Sequence, residues 1–539
     1  MMRKQALVAA AVLGAIVLAA ATLNVMAQDQ GVFTDGVLIY ADRSDPEGLD
    51  PTMFTGTSGY IQGHLMFDTL LGKNNNGKLV PLLATSWQVS PDGRTYTFKL
   101  RRDVEFHSGK RLTSADVKYS VERLGKKENA SPWNDLVAFV DRVEAPDDET
   151  VVIRLTKPNR LFLDNMSQTG ASIVNRQAIE KYGKDFGRTA VDGTGPFKLV
   201  DRAFNERIVY ERFDKYRWGP SFYTNRGPAR VKRVVWRVIP ELATRQLLME
   251  RGEIDLITHN APPNVLYRAT ELKGRVDITL RPVLEIRAVF TNANFPRMKD
   301  RAVRRAIAQA VNAKIIAETI YAPVGAQAFN MLHPLAYGYW KGAEQAALRY
   351  DPARARQTLD EAGWRLNAQG VREKGGVVLN GIKLMGLPQY REAAVVVKES
   401  LAEIGIGADI ELSERGRLYP LRRSGDVELE FTNTTGAPDV IMEYMHSTNF
   451  PGTNRFGWKD ARTDQLIEAF LAGADEKKAL EAGYEVQKIA VAEEALFIPV
   501  YVTQELNIVN SRTVRGFVGT TWLNSGVGKL LGVWSTRRP

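Results

Sequence analysis

Not one of the 539 residues is a cysteine. Disulfides, thiolate zinc sites, iron–sulfur clusters and cysteine nucleophiles are therefore excluded, and the chain must hold itself together by apolar burial. Its composition suits that task. Apolar residues make up 44% and charged residues 25%, which rules out long disorder, collagen and coiled coil as the main architecture. At roughly 100–200 residues per domain, the length predicts two or three domains.

The first 27 residues set the compartment. Met1–Lys4 is short and positive, Ala6–Leu23 is apolar except for Thr22, and Val25-Met26-Ala27 puts small residues at the −3 and −1 positions. This is the pattern of a secretory signal peptide, with cleavage expected after Ala27. A run of roughly 18 apolar residues is also just long enough for a bilayer anchor, but here a polar, turn-rich stretch follows at once. No cysteine is present for a lipid anchor, no twin-arginine pair precedes the apolar run, and no later run approaches spanning length. The expectation is a soluble exported chain, periplasmic in a bacterium with two membranes, and indifferent to an oxidising compartment.

The net charge of +10 includes Arg3 and Lys4, so the chain beyond the leader carries +8 from 70 bases and 62 acids. The bases are interleaved with acids. The densest cluster, Arg301, Arg304 and Arg305, falls on a predicted helix that also carries Asp300. Arginine strips with interleaved aromatics, as a nucleic-acid groove needs, are absent, and no nucleic-acid partner is expected.

Strand and helix signals alternate without repeats. Val37–Tyr40, Val151–Leu155 and Val231–Ile239 read as strands, the last as a central one. Thr95–Leu100 puts Tyr96, Phe98 and Leu100 on one face after the turn signal Pro91-Asp92-Gly93. Asp300 caps a predicted helix whose apolar face is Val303, Ala306, Ile307, Ala310, Val311 and Ile315. Asp351-Pro352 starts another that Gly363 ends, and Pro240 and Gly252 bracket a third. Arg462–Leu471 and Asp475–Ala492 read as late helices. Leu496–Val502 reads as a buried strand in which Pro499 signals an edge or a bulge. This alternation predicts α/β or α+β lobes.

Catalytic constellations are scarce. No glycine loop leads into Lys-Ser or Lys-Thr, and Gly56-Thr57-Ser58-Gly59 lacks the spacing of a nucleophile elbow. The histidines at 64, 107, 259, 333 and 446 are far apart and read as surface or hydrogen-bonded rather than metal-ligating. Glu493-Glu494 reads as solvated charge on a helix. No cofactor and no metal are expected. A glycosidase needs only two carboxylates, and nothing singles out a pair.

Residues 79–123 carry a resemblance. Leu79-Val80-Pro81-Leu82-Leu83-Ala84-Thr85-Ser86-Trp87 is followed by Ser90-Pro91-Asp92-Gly93, Phe106-His107-Ser108-Gly109 and Thr113-Ser114-Ala115-Asp116-Val117. Gly193-Thr194-Gly195-Pro196-Phe197, Arg237-Val238-Ile239-Pro240, Gly252-Glu253-Ile254-Asp255, Tyr350-Asp351-Pro352 and Ile498-Pro499-Val500-Tyr501 follow in order. Over roughly residues 37–520 the chain resembles the extracellular solute-binding proteins of family 5, the peptide- and nickel-binding components of ABC importers. The resemblance implies a non-enzymatic α/β clamp of the type II-like periplasmic-binding-protein kind, with an extra domain and mixed sheets flanked by helices. It implies lobe I from 28–64, 190–280 and 504–539, the extra domain over 65–189, lobe II over 281–503, and a hinge near 281–286 and 502–506. The implied partners are a small solute, peptide-like by default, and the membrane permease and ATPase subunits, with the protein itself a monomer. A sugar, opine or other small polar solute is the alternative, and an exported hydrolase or a loose chaperone the rival from another class.

Three stretches line the cleft in relatives. In Phe54-Thr55-Gly56-Thr57, Gly56 permits an open backbone for pairing with an extended peptide, or the segment is a capped turn. Trp133 forms an apolar wall of the cleft or belongs to the core. In Asn433-Thr434-Thr435-Gly436-Ala437-Pro438-Asp439, peptide-binding relatives place an Asp that pairs with the peptide's α-amino group. Here the acid arrives only at Asp439, which either serves that role or caps the following helix. The capping reading is preferred, and with it a ligand lacking an α-amino group. Tyr501 is a further lining candidate, with core packing as its alternative.

Overall fold

The computed structural model describes residues 36–517, except 47, 55, 75–76, 130, 260–273, 322–324 and 474, and also residues 530–531 and 533–535. The expected signal segment and Thr55 lie outside the described residues.

In chain order, β1 (Val37–Asp42) leads to helix α1 (Gly56–Met66). A separate sheet follows, made of β2 (Ala84–Val89), β3 (Thr95–Leu100), β4 (Val140–Asp147) and β5 (Thr150–Leu155), with α2 (Ser114–Gly125) between β3 and β4. The chain then forms β6 (Phe197–Ala203), β7 (Arg207–Arg212), β8 (Arg233–Val238), α3 (Leu242–Glu250), β9 (Leu256–His259) and the long β10 (Val276–Thr291). Helices α4 (Arg301–Ala310) and α5 (Pro352–Glu361) precede β11 (Ile382–Gly386), α6 (Arg391–Ala402), β12 (Ala408–Leu412) and β13 (Leu429–Thr435). Helices α7 (Asp439–Met445), α8 (Ala461–Ala472) and α9 (Glu476–Lys488) lead to the second long strand, β14 (Phe497–Asn510).

One large sheet runs through the molecule in the order β12-β11-β13-β10-β14-β9-β1-β8-β7-β6. The antiparallel pair β10–β14 divides it, running from Val276 opposite Asn510 to Phe290 opposite Phe497. The molecule is thus a two-lobed α/β protein whose lobes share two crossing strands. The four-stranded sheet and α1 pack on the first half through Tyr40, Phe67, Phe98, Phe197 and Trp236. The second half has a core on each face, one built on Val303, Ile307, Leu384 and Phe431, the other on Phe290, Tyr444, Phe456 and Phe497. Each such side chain contributes roughly 1.5–3 kcal/mol by leaving water.

Local sequence explains the punctuation. In β3, Tyr96, Phe98 and Leu100 are buried on one face, and Gly93 takes φ +68° in the preceding turn. Asp300 accepts from Ala302 N at the start of α4, and Asp351 from Arg354 N at the start of α5. Ile315 is not part of the apolar face. The chain leaves the helix at Val311, and Ile315 falls in a separate turn with 48% of its surface exposed. The late helix is regular to Lys488 and widens to a π-turn over Ile489–Glu493.

The structure decides between the two readings of Pro499, and one further expectation changes. Pro499 sits in an interior strand, at a bulge and not at an edge. Arg287 faces Tyr501 and Ala288 faces Pro499, so a bulge at Val500 absorbs the missing N–H, and the strand continues to Asn510. Glu494 is not solvated helix charge. It pairs with Arg304 at 2.5 Å, and Arg304 is 2% exposed. The basic cluster on α4 is therefore partly internal.

Candidate functional site

The two halves of the sheet point at one place. Strands β8, β1 and β9 are parallel to one another, and so are β12, β11 and β13. Open parallel sheets bind ligands beyond the carboxyl ends of their strands. β9 ends opposite Leu506 and β13 ends opposite Glu285, so both sets of carboxyl ends face the crossing of β10 and β14. At that crossing the pairing slips between Pro282 opposite Gln504 and Ile286 opposite Val502, leaving three residues of β10 against one of β14. This crossing between the two halves of the sheet is the candidate ligand site.

On the second-half wall, Asn433 donates from Nδ2 to Glu285 Oε1 at 2.5 Å and accepts from the Tyr390 hydroxyl at 2.9 Å. The Thr434 hydroxyl bonds the Tyr444 hydroxyl at 2.8 Å, and Thr435 is half-buried at the strand's end. Gly436 meets the His333 backbone so closely that a Cβ would lie 2.7 Å from its nitrogen. Arg287, level with Asn433 and Tyr501 on neighbouring strands, is 3% exposed. It ion-pairs with Glu285 at 2.7 Å and lies over the rings of Tyr390 and Tyr501, 5.5 and 6.0 Å from their centroids. Burial pulls the guanidinium pKa down, and the Glu285 carboxylate more than offsets it, holding the group above its ordinary value.

Beyond β13, carboxylates gather. Asp439 is the first residue of α7, behind Pro438, and makes no cap with its side chain. Its Oδ1 is shielded from solvent and has no hydrogen-bond partner among the described residues. Burial and then the charge of Asp164 raise its pKa to about 6. One turn on, burial raises Glu443 to about 8, with Arg455 opposing and Asp439 and Asp135 adding to the rise. Asp135 and Asp164 come from the segment that carries the four-stranded sheet, where Asp164 also pairs with Lys73 at 2.5 Å. Asp439 thus feels the charge of Asp164, and Glu443 that of Asp439 and Asp135, with Lys73 and Arg455 acting against them.

Trp133 borders the same region. Its Nε1 donates to Phe54 O at 2.8 Å, and its ring meets Tyr60 edge-on at 5.4 Å. It lies so close to Gly170 that a Cβ there would come within 2.5 Å of the indole.

Several predicted site residues are placed differently from their reading. Phe54 is a core residue, 1% exposed and edge-on to Phe67. Gly56 and Thr57 open α1, so their backbone is helical rather than extended and cannot pair with a peptide strand. The capping role of Asp439 fails because the carboxylate sits one residue too late. Tyr501 is 2% exposed and stacks on Tyr321 at 4.3 Å. Arg287, Glu285, Tyr390 and Glu443 escaped the sequence reading. Glu285 and Arg287 share their strand with Asp277 and Arg281 at alternate positions, so charge alone did not single them out.

His64, His333 and His446 are buried, and His107 is half-buried. His64 bonds Thr169 at 3.1 Å, and His107 Nε2 bonds Gly195 O at 2.9 Å. Burial pushes both His107 and His333 down to about 4. Among the described residues no cluster of three or more potential metal ligands occurs, and no helix is long and apolar enough to cross a membrane. A separate cavity of about 490 Å³ between α4 and α5, lined by Arg301, Arg305 and Arg354, lies away from the groove.

Comparison with known proteins places these features. The model of the bacterial extracellular solute-binding proteins, family 5, matches residues 78–456. The dipeptide-binding protein of Escherichia coli is 26% identical over 491 residues, covering 85% of this chain and 88% of its own. The nickel-binding periplasmic protein of the same organism is also 26% identical, covering 84% and 86%. Among solved structures, the periplasmic binding protein DppA of Helicobacter pylori, in complex with the peptide STSA, superposes with a TM-score of 0.80. It is 25% identical and covers 94% of this chain and 99% of its own.

Proposed function

The chain belongs to the bacterial extracellular solute-binding proteins of family 5 and is a substrate-binding component of an ABC importer, and we propose that its solute is a short peptide or a peptide-like molecule with a free amino group. The observation that carries this is the band of carboxylates formed by Asp439 and Glu443 with Asp135 and Asp164. Like charges held out of water raise one another's pKa, and an ammonium among them relieves that cost. The ligand's cation therefore gains most when the lobes are closed around it, which is the differential affinity that drives closure. The hydroxyl and amide run at 433–434 speaks less for a neutral sugar, because Tyr390, Glu285 and Tyr444 already engage it.

In this reading the leader is removed after Ala27, the protein acts in the periplasm as a monomer, and it converts nothing. Lobe I combines 28–64, 190–280 and 504–539, carries the extra domain 65–189, and closes on lobe II, 281–503, about the crossing at 281–286 and 502–506. The register slip between Pro282 and Ile286 supports a hinge there. No nucleic acid takes part.

Thermal shift and calorimetry with di- and tripeptides, their N-acetylated forms, sugars and opine acids test the reading. Free-amino peptides should raise the melting temperature and be recovered unchanged, and N-acetylation should abolish the effect. Binding of sugars alone, or the appearance of a product, would sink it.

A further inference from the structure

Away from the crossing, the cavity of about 490 Å³ between α4 and α5 gathers positive charge. Arg301 and Arg305 line it from α4 and Arg354 from α5. Guanidinium groups repel one another, so three around one space are costly unless carboxylates offset them. The nearby carboxylates are shared. Glu494 lies 2.5 Å from the buried Arg304, and Arg301 reaches its other oxygen only at 3.4 Å. Glu493 pairs with Lys488 at 3.3 Å. Glu361 lies 3.3 Å from Arg354 and also accepts from the Gln357 amide at 2.8 Å. Arg305 has no carboxylate partner among the described residues. Its Nη1 donates to two backbone carbonyls, Ala492 O and, at 3.2 Å, Glu493 O. Burial lowers the Arg305 pKa, Arg301 and Arg354 add to the fall, and Glu494 and Glu493 oppose it. Positive charge is thus left over at the cavity.

The donors around it are held in place. The π-turn over Ile489–Glu493 supplies both carbonyls that fix Arg305. Gln309, on the last turn of α4, lines the same cavity and is 8% exposed. Its Oε1 accepts from the Thr358 hydroxyl of α5 at 3.0 Å. That bond sets the amide and leaves Nε2 as a donor without a partner among the described residues, where a buried donor is nearly always bonded.

We propose that this cavity binds a phosphate group, carried by a small phosphomonoester or a lipid headgroup, among Arg301, Arg305 and Arg354 with the Gln309 amide as a neutral donor. A phosphomonoester has three terminal oxygens directed to different sides, whereas a carboxylate has two in one plane. Guanidinium forks match phosphate oxygens in pairs, which a lysine ammonium cannot do. The space is larger than bare phosphate fills and falls in the range of small-ligand pockets, so the organic part of the ligand has room beside Ala302 and Ala362. This goes beyond the solute-binding reading and does not depend on it.

The test uses the mature protein in calorimetry at constant ionic strength, with glycerol 3-phosphate, inorganic phosphate and glycerol. Flotation with phosphatidylcholine vesicles, with and without phosphatidylglycerol, forms the lipid arm. Glycerol 3-phosphate should bind and glycerol should not. Arg354→Gln and Arg305→Gln should each weaken phosphate binding about tenfold or more, the loss of one charge-assisted contact. Arg354 is exposed, so its variant keeps the fold even if that of Arg305 does not. Arg462→Gln, an exposed arginine of α8 outside the cavity, should change nothing. An equal loss in Arg462→Gln would mean attraction to net charge alone and overturn the proposal, as would phosphate binding that Arg354→Gln leaves intact. Binding of neither phosphate probe and no retention by phosphatidylglycerol vesicles overturns it as well. Retention by those vesicles alone, lost in Arg354→Gln, assigns the phosphate to a lipid headgroup, and binding of glycerol 3-phosphate alone assigns it to a free phosphomonoester.

Discussion

The Arg160 guanidinium donates to the Gly473 carbonyl at 2.6 Å, joining the segment that follows the four-stranded sheet to the end of α8. Its Nε reaches Phe470 O at 3.2 Å and its backbone N–H reaches Leu471 O at 2.8 Å. The last carbonyls of a helix have no partner within it, and a cation there also meets the negative end of the helix dipole. One arginine thus satisfies the C-terminus of a helix about three hundred residues further along the chain, beside Leu161, which packs in the same core as Phe470 and Leu471. Arg160→Ala should loosen the closed form: the radius of gyration without solute should rise in small-angle scattering, and peptide affinity should fall about tenfold, or roughly 1.4 kcal/mol. A lower melting temperature with both readouts unchanged would mark the contact as static.

Asp439→Asn separates the roles of this carboxylate. It removes a charge held among Asp164 and Glu443 while keeping the shape. The apo protein should melt at the same temperature or higher, because a costly buried charge is gone. Affinity for a free-amino peptide should fall by roughly 2–5 kcal/mol, since the ammonium loses a partner. Calorimetry showing unchanged affinity would remove Asp439 from the site.

Glu443 predicts a pH dependence with a definite sign. Burial raises its carboxyl from the ordinary 4.5 to about 8 in the folded protein, with Arg455 opposing and Asp439 and Asp135 adding to the rise. The folded state holds the extra proton between those values, so the stability it confers is full below 4.5 and is lost as the pH rises to about 8. His107 and His333 act in the opposite direction, but only between about 4 and 6.5, where the unfolded state binds the extra protons. Between pH 6.5 and 8 the unliganded protein should therefore lose roughly 1–2 kcal/mol, and Glu443→Gln should not. Denaturant titrations at the two pH values measure this, and parallel losses in both proteins would contradict it.

Local chemistry was legible in the sequence where it is written in neighbouring residues. Asp300, Asp351 and Gly363 mark helix ends, and Tyr96, Phe98 and Leu100 mark a buried face, because caps and alternation need only a few positions. The groove was not legible in the same way. Its carboxylates at 135, 164, 439 and 443 come from segments hundreds of residues apart, and only the sheet topology brings them together. Ile315 illustrates the converse limit, since periodicity continues through a break that the backbone makes at Val311. Arg287 stands on a strand that also carries Asp277, Arg281 and Glu285, so nothing in the sequence marked it out, and its neighbours Tyr390, Asn433 and Tyr501 come from distant segments.

The Arg304–Glu494 pair gives a stability prediction independent of solute. Burial lowers the guanidinium's pKa, and Glu494 works against this. Breaking a buried pair from one side leaves an uncompensated charge, at a cost of about 3–5 kcal/mol. Glu494→Ala should lower the melting temperature sharply, whereas Arg304→Met with Glu494→Leu should recover much of the loss. A double variant no better than Glu494→Ala would show that the hydrogen bonds to Met298 O and Lys299 O, rather than the ion pair, hold this corner.

Two glycines predict opposite signs for the same substitution. At Gly195, a Cβ would lie 2.5 Å from Leu65 O and 2.6 Å from Phe67 N, both backbone atoms at the end of α1. Gly195 N also donates to Met66 O at 2.8 Å, so the two segments cannot separate without losing that bond. Gly195→Ala must therefore push α1 away from the start of β6, and strain of this kind costs roughly 1–3 kcal/mol, here at the upper end. At Gly416, within the helix Arg415–Ser424, a Cβ would meet nothing within 4 Å. Gly416→Ala should stabilise by about 0.4–1 kcal/mol, by restricting the unfolded chain and favouring the helix. Urea titration of both variants decides. Equal effects at the two sites would mean that the close approach at Gly195 relaxes without cost.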